Sequence, residues 1–256
     1  MPFTCKDSIA IKGLAWTAGV KIRKGIKADK DAIVISNMRK SGAIPLCLTN
    51  TPELVLWYDS DNKLYGRTNN PYDLSRIVGG SSGGEGCLIS AAGSLVGIGS
   101  DVAGSIRIPS MFCGTFGHKT IKRYVPVDGM FPKPPTKYGT FLCYGPIARY
   151  ASDLPIILRA MSGGAADELR LDEPVDFKKV KIYYMEQIDN PLTSFVDQRI
   201  LNAMQKAIKH FKDEYGAQVE KININKFKYS LGGLLCFQLP SELRFRFVAC
   251  PMWLTF

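Results

Sequence analysis

Residues 77–110 read IVGGSSGGEGCLISAAGSLVGIGSDVAGSIRIPS, and this stretch is the most informative part of the chain. Between Gly79 and Gly104, nine of the 26 positions are glycine, and five serines stand among them. Glycine loses more conformational freedom on folding than any other residue, so a segment this rich in glycine is costly to order. We therefore expect its backbone to approach another group closely, with serine hydroxyls beside it.

Two nucleotide-binding interpretations fit this segment poorly. A phosphate-binding loop requires Gly-Lys-Ser/Thr after its glycines, and no lysine follows them here. A dinucleotide-binding fingerprint would begin at Gly97, but Val102 then occupies the third small-residue position. The segment therefore satisfies neither signature.

Alternatively, the segment could carry a nucleophilic serine. Residues 79–83 match the Gly-x-Ser-x-Gly pattern around Ser81, and that chemistry ordinarily needs a histidine. The chain has two: His118 follows the serines closely, whereas His210 stands among lysines on a predicted surface helix. Alternatively, a neutral lysine activates a hydroxyl where burial lowers the pKa of its amine. Lys6, at the end of the apolar stretch PFTC, is the candidate, and the residues alone leave both alternatives open.

Helical and extended patterns alternate along the rest of the chain. Helices are predicted over 31–41, from about residue 83, over 152–161 and over 195–215; strands are predicted at the start of the chain, then over 43–49, 94–100, 180–186 and 217–224. The strand over 43–49 is expected to be buried. We expect a loop over 131–139 and a core segment over 229–240. This alternation indicates an α/β sheet protein.

The composition excludes several classes of protein. The chain is 46% apolar and 22% charged, which indicates a globular protein. Its seven cysteines are scattered and form no Cys-x-x-Cys pair, which favours reduced thiols in an intracellular compartment over disulfides or a zinc site. The net charge of +10 comes with many lysines after residue 177, which indicate a solvated face or attraction to an anionic membrane. No nucleic-acid signature and no apolar run of about 18 residues, the length that spans a bilayer, is found.

Three segments together resemble the amidase signature family. They are PFTCKDS with Lys6, GGSSGGEG with Ser81, and SDVAGSIRIPS with Ser105. Lys6 precedes Ser81 by 75 residues and Ser81 precedes Ser105 by 24, which matches the spacing of the family's Lys–Ser–Ser triad. NPYDLSR, Glu85-Gly86 and IRIPSMFCGTFGHKT are similar to the fatty-acid amide hydrolase branch, and closest to its type-two members. The resemblance covers residues 1 to about 160 and continues more loosely to about 222.

The resemblance implies an α/β fold of the amidase-signature type, a mixed β-sheet flanked by helices on both faces. Residues 1–256 would form a single domain that lacks the N- and C-terminal parts of the full family domain, because the chain begins within a strand and ends on apolar residues. The implied activity is that of a serine hydrolase that cleaves carboxylic amides, fatty-acid amides in particular, with no cofactor or metal. The alternatives are a truncated non-catalytic fragment, a general amidase, or a glutamyl-tRNA amidotransferase-type subunit.

The resemblance also implies the roles of the three triad residues. Ser105 would be the nucleophile that forms an acyl-enzyme, and Ser81 would bridge it to Lys6. Neutral Lys6 would take the proton of Ser81 while Ser81 takes that of Ser105, and the reverse transfer would protonate the departing amine. A cis peptide bond would precede Ser81.

Further site residues follow from the same resemblance. An oxyanion hole would be formed by the backbone N–H groups of Val102, Ala103, Gly104 and Ser105. Ala103 stands where the family commonly has glycine, and a positive φ at this position would strain alanine. Val55 would line the acyl-chain pocket near the scissile bond. Asp101 and Arg107 would support the loop by pairing with each other.

The implied partner is a small-molecule or lipid amide substrate, and no nucleic acid. The resemblance leaves open a peripheral contact with a membrane and a homodimer. Full-length relatives of the implied branch are membrane-associated, whereas no membrane segment is recognisable in this sequence.

Overall fold

The computed structural model describes residues 1–133, 139–188, 190, 193–225 and 229, in two compact units, Met1–Leu171 and Asp172–Phe256. The middle of the loop expected over 131–139 lies outside the described residues. So does the core segment expected over 229–240, apart from its first residue. Each unit is described by itself below.

The first unit contains nine strands and four helices among its described residues. The strands are β1 (Pro2–Lys6), β2 (Ile44–Thr49), β3 (Asp61–Asn62), β4 (Gly66–Arg67), β5 (Asn69–Asn70), β6 (Asp73–Ile77), β7 (Val96–Asp101), β8 (Phe116–Gly117) and β9 (Cys143–Ala148). The helices are α1 (Ile33–Lys40), α2 (Gly83–Ser90), α3 (Arg107–Cys113) and α4 (Asp153–Ser162). The predicted helices over 31–41, from residue 83 and over 152–161 are confirmed, as are the strands at the start of the chain, over 43–49 and over 94–100.

Five strands form one mixed sheet in the order β2-β1-β7-β9-β8. β1 runs parallel to both β2 and β7, while β9 runs antiparallel to β7 and β8. The register places Lys6 opposite Thr49 of β2, and Thr4 opposite Gly97 of β7. The predicted α/β class with a mixed sheet is confirmed.

The alternation of side chains along β1 divides the unit into two layers. Successive strand residues point to opposite faces of a sheet. Phe3 and Cys5 are fully buried in the main core, which also holds residues of α1 and α4. Thr4 and Lys6 are equally buried on the other face, where Thr4 contacts the side chain of Glu85 in α2. Helices therefore cover both faces, and the face toward α2 carries the polar residues.

The expectation of a buried strand over 43–49 is wrong in one respect. β2 forms, but Ile44 is 63% exposed and Leu46 is 53% exposed. Among the described strands β2 is at the end of the sheet order and pairs with β1 alone. An apolar run looks the same in a central strand and at an edge, so its burial depends on neighbours that the local pattern does not reveal.

The second unit contains β10 (Lys181–Tyr184), α5 (Gln198–Tyr215) and β11 (Gln218–Lys221), and its two strands are parallel. The side chain of Asp197 accepts a bond from the first turn of α5, and Gly216, at φ 66°, ends this helix. The ring of Phe177 packs 4.8 Å from that of Tyr215. The predicted strand–helix–strand unit is confirmed. None of the helices in the described ranges combines the length and the apolar character needed to cross a bilayer.

The backbone at Gly145 in β9 lies so close to the backbone at His118 that we can predict the effect of a larger residue on stability. A Cβ atom at Gly145 in β9 would lie 2.0 Å from the carbonyl oxygen of His118. A backbone oxygen cannot rotate away as a side chain can, so we expect Gly145→Ala to lower the free energy of unfolding by about 1–3 kcal/mol. The matched control is Gly164→Ala, because no described atom lies within 4 Å of a Cβ there. Urea unfolding measures both, and equal midpoints for the two variants would contradict the expectation.

Candidate active site

Lys6 is the last residue of β1, and its side chain is fully buried. Its Nζ lies 2.7 Å from Ser81 Oγ and 2.9 Å from Ser100 Oγ, both hydrogen-bond distances. Ser100 belongs to β7, two strand positions beyond Ile98, which pairs with Cys5. The parallel pairing of β1 with β7 therefore brings Ser100 to the end of the lysine side chain. Ser100 is the first residue of the segment SDVAGSIRIPS, but no role was predicted for it from the sequence.

Burial lowers the pKa of Lys6 to about 7, although the negative charges of Asp101 and Glu85 act in the opposite direction. Taking an ammonium group out of water disfavours its charged form. A lysine with such a pKa is unprotonated in a large share of molecules at neutral pH. It then holds a lone pair that can accept a proton from the neighbouring hydroxyl of Ser81.

Ser81 lies in a turn that several backbone contacts hold in place. It is 1% exposed, and the Gly80–Ser81 peptide bond is cis, as the resemblance implied. Thr51 Oγ1 donates a hydrogen bond of 2.8 Å to the carbonyl oxygen of Ser81. Ser60 Oγ donates to the carbonyl of Gly79 at 3.0 Å and accepts from the N–H of Gly83 at 3.0 Å. Thr51 and Ser60 carry no recognisable sequence signal, because each acts on backbone that is distant in sequence.

Ser105 lies in the loop between β7 and α3 and is half-buried. Its carbonyl accepts a hydrogen bond of 3.1 Å from the N–H of Ser82, so its loop is directly attached to the Ser81 turn. Within the described residues, Ser105 Oγ makes no hydrogen bond to Ser81 or Lys6. The structure thus brings Lys6 and Ser81 into direct contact and places Ser105 on the adjoining, more accessible loop.

The loop over residues 102–105 differs from the expectation at Gly104. The N–H of Gly104 donates to Asp101 Oδ1 at 2.8 Å, so this donor points toward the carboxylate and is not available to a substrate oxygen in this conformation. Gly104 has φ 126°, whereas Ala103 is not among the described non-glycine residues with positive φ. The strain considered for Ala103 is therefore absent, because the unusual backbone conformation falls on the following glycine.

Asp101 connects this loop to two cations. Arg107 donates two hydrogen bonds of 3.1 Å to the Asp101 carboxylate, one to each oxygen. Lys119 Nζ lies 3.6 Å from the same carboxylate and donates at 2.8 Å to the Asp101 carbonyl. Burial alone would raise the pKa of Asp101, but the Arg107 guanidinium and the N–H groups of Gly104 and Ile106 hold it below its usual value. The contact made by Lys119 was not predicted from the sequence.

Val55 lies at the end of a short 3₁₀ turn, Glu53–Val55, and is half-buried. Both Leu54 and Val55 have φ 57°, a left-handed conformation that is unusual for bulky residues. The following residues approach the Ser81 turn, since a Cβ at Gly80 would lie 2.7 Å from the carbonyl oxygen of Trp57. Val55 therefore belongs to a segment that contacts this turn.

The two histidines do not assist Ser81 in this structure. Among the described hydrogen bonds, that of the Ser81 hydroxyl is to Lys6, and none joins a histidine side chain to it. His210 is exposed in the second unit. The geometry therefore favours the lysine alternative. In the same described part of the chain, no cluster of three or more His, Cys, Asp or Glu side chains could hold a metal ion.

Comparisons of sequence identify the family of this chain. The family model described as Amidase matches residues 1–246. Fatty-acid amide hydrolase 2 from Homo sapiens is 45% identical over 231 residues, which are 90% of this chain and 43% of that protein. Fatty-acid amide hydrolase 2-B from Danio rerio is 40% identical over 231 residues, 90% of this chain and 44% of that protein. The chain thus spans less than half the length of these two relatives.

Comparison of structures gives the same fold. The structure of 6-aminohexanoate cyclic dimer hydrolase complexed with substrate matches with a TM-score of 0.75 and 28% identity. The match covers 89% of this chain and 49% of that chain. Since the family model covers nearly the whole sequence and both the sequence relatives and the solved structure agree with it, this chain belongs to the amidase family.

Proposed function

We propose that this protein is a serine hydrolase that cleaves carboxylic amides, fatty-acid amides in particular, through Lys6, Ser81 and Ser105. The observation that carries the proposal is the fully buried Lys6 Nζ at 2.7 Å from Ser81 Oγ, with no other acid or base in hydrogen-bond contact with that hydroxyl among the described residues. The 45% identity to human fatty-acid amide hydrolase 2 supports the substrate class. We also infer that the two units belong to one amidase-signature domain, because the family match runs through both.

The proposed reaction begins with proton transfer toward Lys6. Neutral Lys6 accepts the proton of Ser81 Oγ while Ser81 Oγ accepts that of Ser105 Oγ, and Ser105 Oγ attacks the amide carbon. Ser105 Oγ must come within hydrogen-bond reach of Ser81 for this step, and such bonds often tighten only when substrate binds. Ser100 Oγ, 2.9 Å from Nζ, fixes the lysine so that its lone pair remains available to Ser81.

The negative charge that forms on the substrate oxygen needs hydrogen-bond donors. With the Gly104 N–H bonded to Asp101, we propose that the N–H groups of Val102, Ala103 and Ser105 supply them. The Asp101 carboxylate, held by Arg107, keeps the loop in the required conformation. This assignment narrows the expected oxyanion hole from four donors to three.

Collapse of the tetrahedral intermediate completes the acylation. The proton returns from Lys6 through Ser81 to the amide nitrogen, the C–N bond breaks, and a neutral amine leaves the acylated Ser105. Water then attacks the ester carbon and gives its proton to the same relay, and Ser105 regains a proton as the carboxylic acid departs. The sum is amide plus water giving carboxylic acid plus amine, and no cofactor takes part.

A substrate-length experiment tests the proposed function. We expect the purified chain to release ammonia faster from an eighteen-carbon primary amide than from acetamide, and a fluorophosphonate probe to label Ser105, as located by peptide mass spectrometry. A preference for acetamide would indicate a general amidase, and release from glutamine an amidotransferase-type subunit. A folded chain that releases no ammonia and is not labelled would show a non-catalytic protein.

A further inference from the structure

Glu85 is a fully buried acidic residue in the first turn of α2. Its Oε2 accepts a hydrogen bond of 2.6 Å from Thr4 Oγ1, and its Oε1 accepts one of 2.7 Å from Thr49 Oγ1. The two threonines come from the adjacent strands β1 and β2, so the carboxylate bridges both strands. Lys, Glu, Arg and Asp side chains are almost never fully buried unless they are paired, so this carboxylate needs an explanation.

The sheet leaves space for this carboxylate. A Cβ atom at Gly97 in β7 would lie 1.8 Å from Glu85 Oε2, so any larger residue there would displace it. No ion pair of Glu85 is present in the described ranges, and its hydrogen bonds come from hydroxyl groups. Hydrogen bonds from hydroxyl groups favour the charged form of a carboxylate while leaving its charge unneutralised.

Lys6 is the cation that lies beside Glu85. Thr4 precedes Lys6 by two positions on the same face of β1, and Thr49 is the register partner of Lys6 in β2. The two hydroxyl groups that hold the carboxylate are therefore close neighbours of the lysine, one on the same strand and the other on the adjacent strand β2. Among the described hydrogen bonds none joins Lys6 to Glu85, which leaves Nζ for Ser81 and Ser100.

Two other titratable groups act on Lys6, and neither changes its charge around neutral pH. Asp101, at the end of β7, acts on Lys6 more strongly, but its pKa is held low and it is paired with Arg107 and Lys119, so it stays ionised throughout the neutral range. The Cys5 thiol, also near Lys6, has a pKa raised by burial and stays neutral there.

Glu85 also influences two thiols among the described residues, although the Cys5 thiol lies on the opposite face of β1. They are Cys5 and Cys47, and burial raises the pKa of both. Burial also raises the pKa of Glu85 to about 7, against the hydrogen bonds from Thr4 and Thr49 and the charge of Lys6. Glu85 is therefore the group near Lys6 whose charge changes around neutral pH.

We propose that Glu85 is a positioning residue of the amidase site, whose carboxylate, held by Thr4 and Thr49, stabilises the protonated form of Lys6. This inference rests on the proposed function, in which Lys6 must hold a proton between acceptance from Ser81 and return to the amine. A buried ammonium group is costly without a counter-charge. Asp101 supplies one such charge, but it is shared with Arg107 and Lys119. Glu85 supplies a second charge without occupying Nζ, which stays bonded to the two serine hydroxyls.

Glu85→Gln tests the inference, because glutamine has the same shape and can still bond both threonine hydroxyls. Removing the negative charge makes protonated Lys6 less favourable, so the acid limb of kcat/KM against pH should move to lower pH by about one unit. The matched control Glu220→Gln makes the same change at an exposed position of β11 and should leave the limb in place. A structural role alone would change the height of the profile without moving its midpoint.

Thr49→Val provides a second variant with a smaller expected change. It removes one hydrogen bond that favours the ionised carboxylate, so the acid limb should move in the same direction by a smaller amount. An acid limb that stays in place, or moves to higher pH, in folded Glu85→Gln protein would overturn the inference. Loss of folding in both variants would also overturn it, because the carboxylate would then serve the fold.

A direct titration separates this inference from the proposed function. In chain labelled with ¹³C-lysine, the Cε signal of Lys6, assigned by its loss in Lys6→Met, should titrate at lower pH in Glu85→Gln than in wild type. This readout needs no activity. Inactive wild-type protein with the expected shift would contradict the proposed function alone, whereas an active wild type without the shift would contradict the role of Glu85 alone.

Discussion

Replacing Ser105 by alanine is expected to lower kcat/KM for a long-chain amide by about 10⁴-fold or more, the scale seen when a catalytic serine is removed. Without Oγ no acyl-enzyme can form, and water would have to attack the amide directly. The measurement is ammonia release, together with fluorophosphonate labelling of the folded variant. Circular dichroism of wild type and variant would show whether the fold is kept.

The matched control is Ser90→Ala, which removes another serine hydroxyl of the first unit. Ser90 is buried, and its Oγ donates to the carbonyl of Cys113 at 2.8 Å, a contact that belongs to the packing of α2 against α3. Its loss should leave labelling intact. Ser105→Ala protein that is still labelled at the wild-type rate would place the nucleophile elsewhere, with Ser81 the first residue to test.

Replacing Lys6 by alanine is expected to lower kcat/KM by about 10²–10⁴-fold at pH 7, the usual contribution of a general base. Since burial lowers the pKa of Lys6 to about 7, wild-type kcat/KM should rise with pH up to about that value and then level off, as the neutral amine is the reactive form. The variant should lack this limb and lose less activity at pH 10 than at pH 7, because hydroxide partly replaces the base.

The comparison variant for Lys6 is Lys122→Ala, at an exposed position of the same unit, which should keep both the rate and the pH profile of the wild type. Equal loss of activity at pH 7 and pH 10 in Lys6→Ala would argue against a proton-relay lysine. The lysine would then have to act by holding Ser81 in place, a role that does not depend on its protonation.

Much of the secondary structure could be predicted, for identifiable reasons. α1 and α5 have apolar residues at helical spacing, and each is followed within two residues by a glycine with positive φ, Gly42 and Gly216 respectively. The two-residue strands β3, β4, β5 and β8 were not predicted, because so short a strand carries no period. The longer strands β6 and β9 were missed too, and β9 contains Gly145-Pro146, a pair that usually marks a turn. The exposure of β2 was missed because an edge strand and a central strand can have the same apolar sequence.

Some residues of the candidate site were likewise predicted from the sequence, and others were not. The resemblance to the amidase signature family indicated Lys6, Ser81 and Ser105, because the motifs that carry it are local in sequence. The roles of Ser100, Thr51 and Lys119 were not predicted, since each acts on groups between 18 and 94 residues away in the sequence. The hydrogen bond from the Gly104 N–H to the Asp101 carboxylate depends on the conformation of the loop between them, which the spacing of the glycines does not specify.

From the sequence alone we could predict the family and the α/β class, and the family resemblance indicated the three residues of the proposed relay. The environment of those residues depends on the tertiary structure. Parallel pairing of β1 with β2 and β7 buries Lys6 beside Ser81, and the loss of water around its amine, with Asp101 and Glu85 opposing, brings its pKa near 7. A pKa depends on the surroundings of a group in three dimensions. For this reason Lys6 acquires a pKa suited to a base only when the sheet has formed around it.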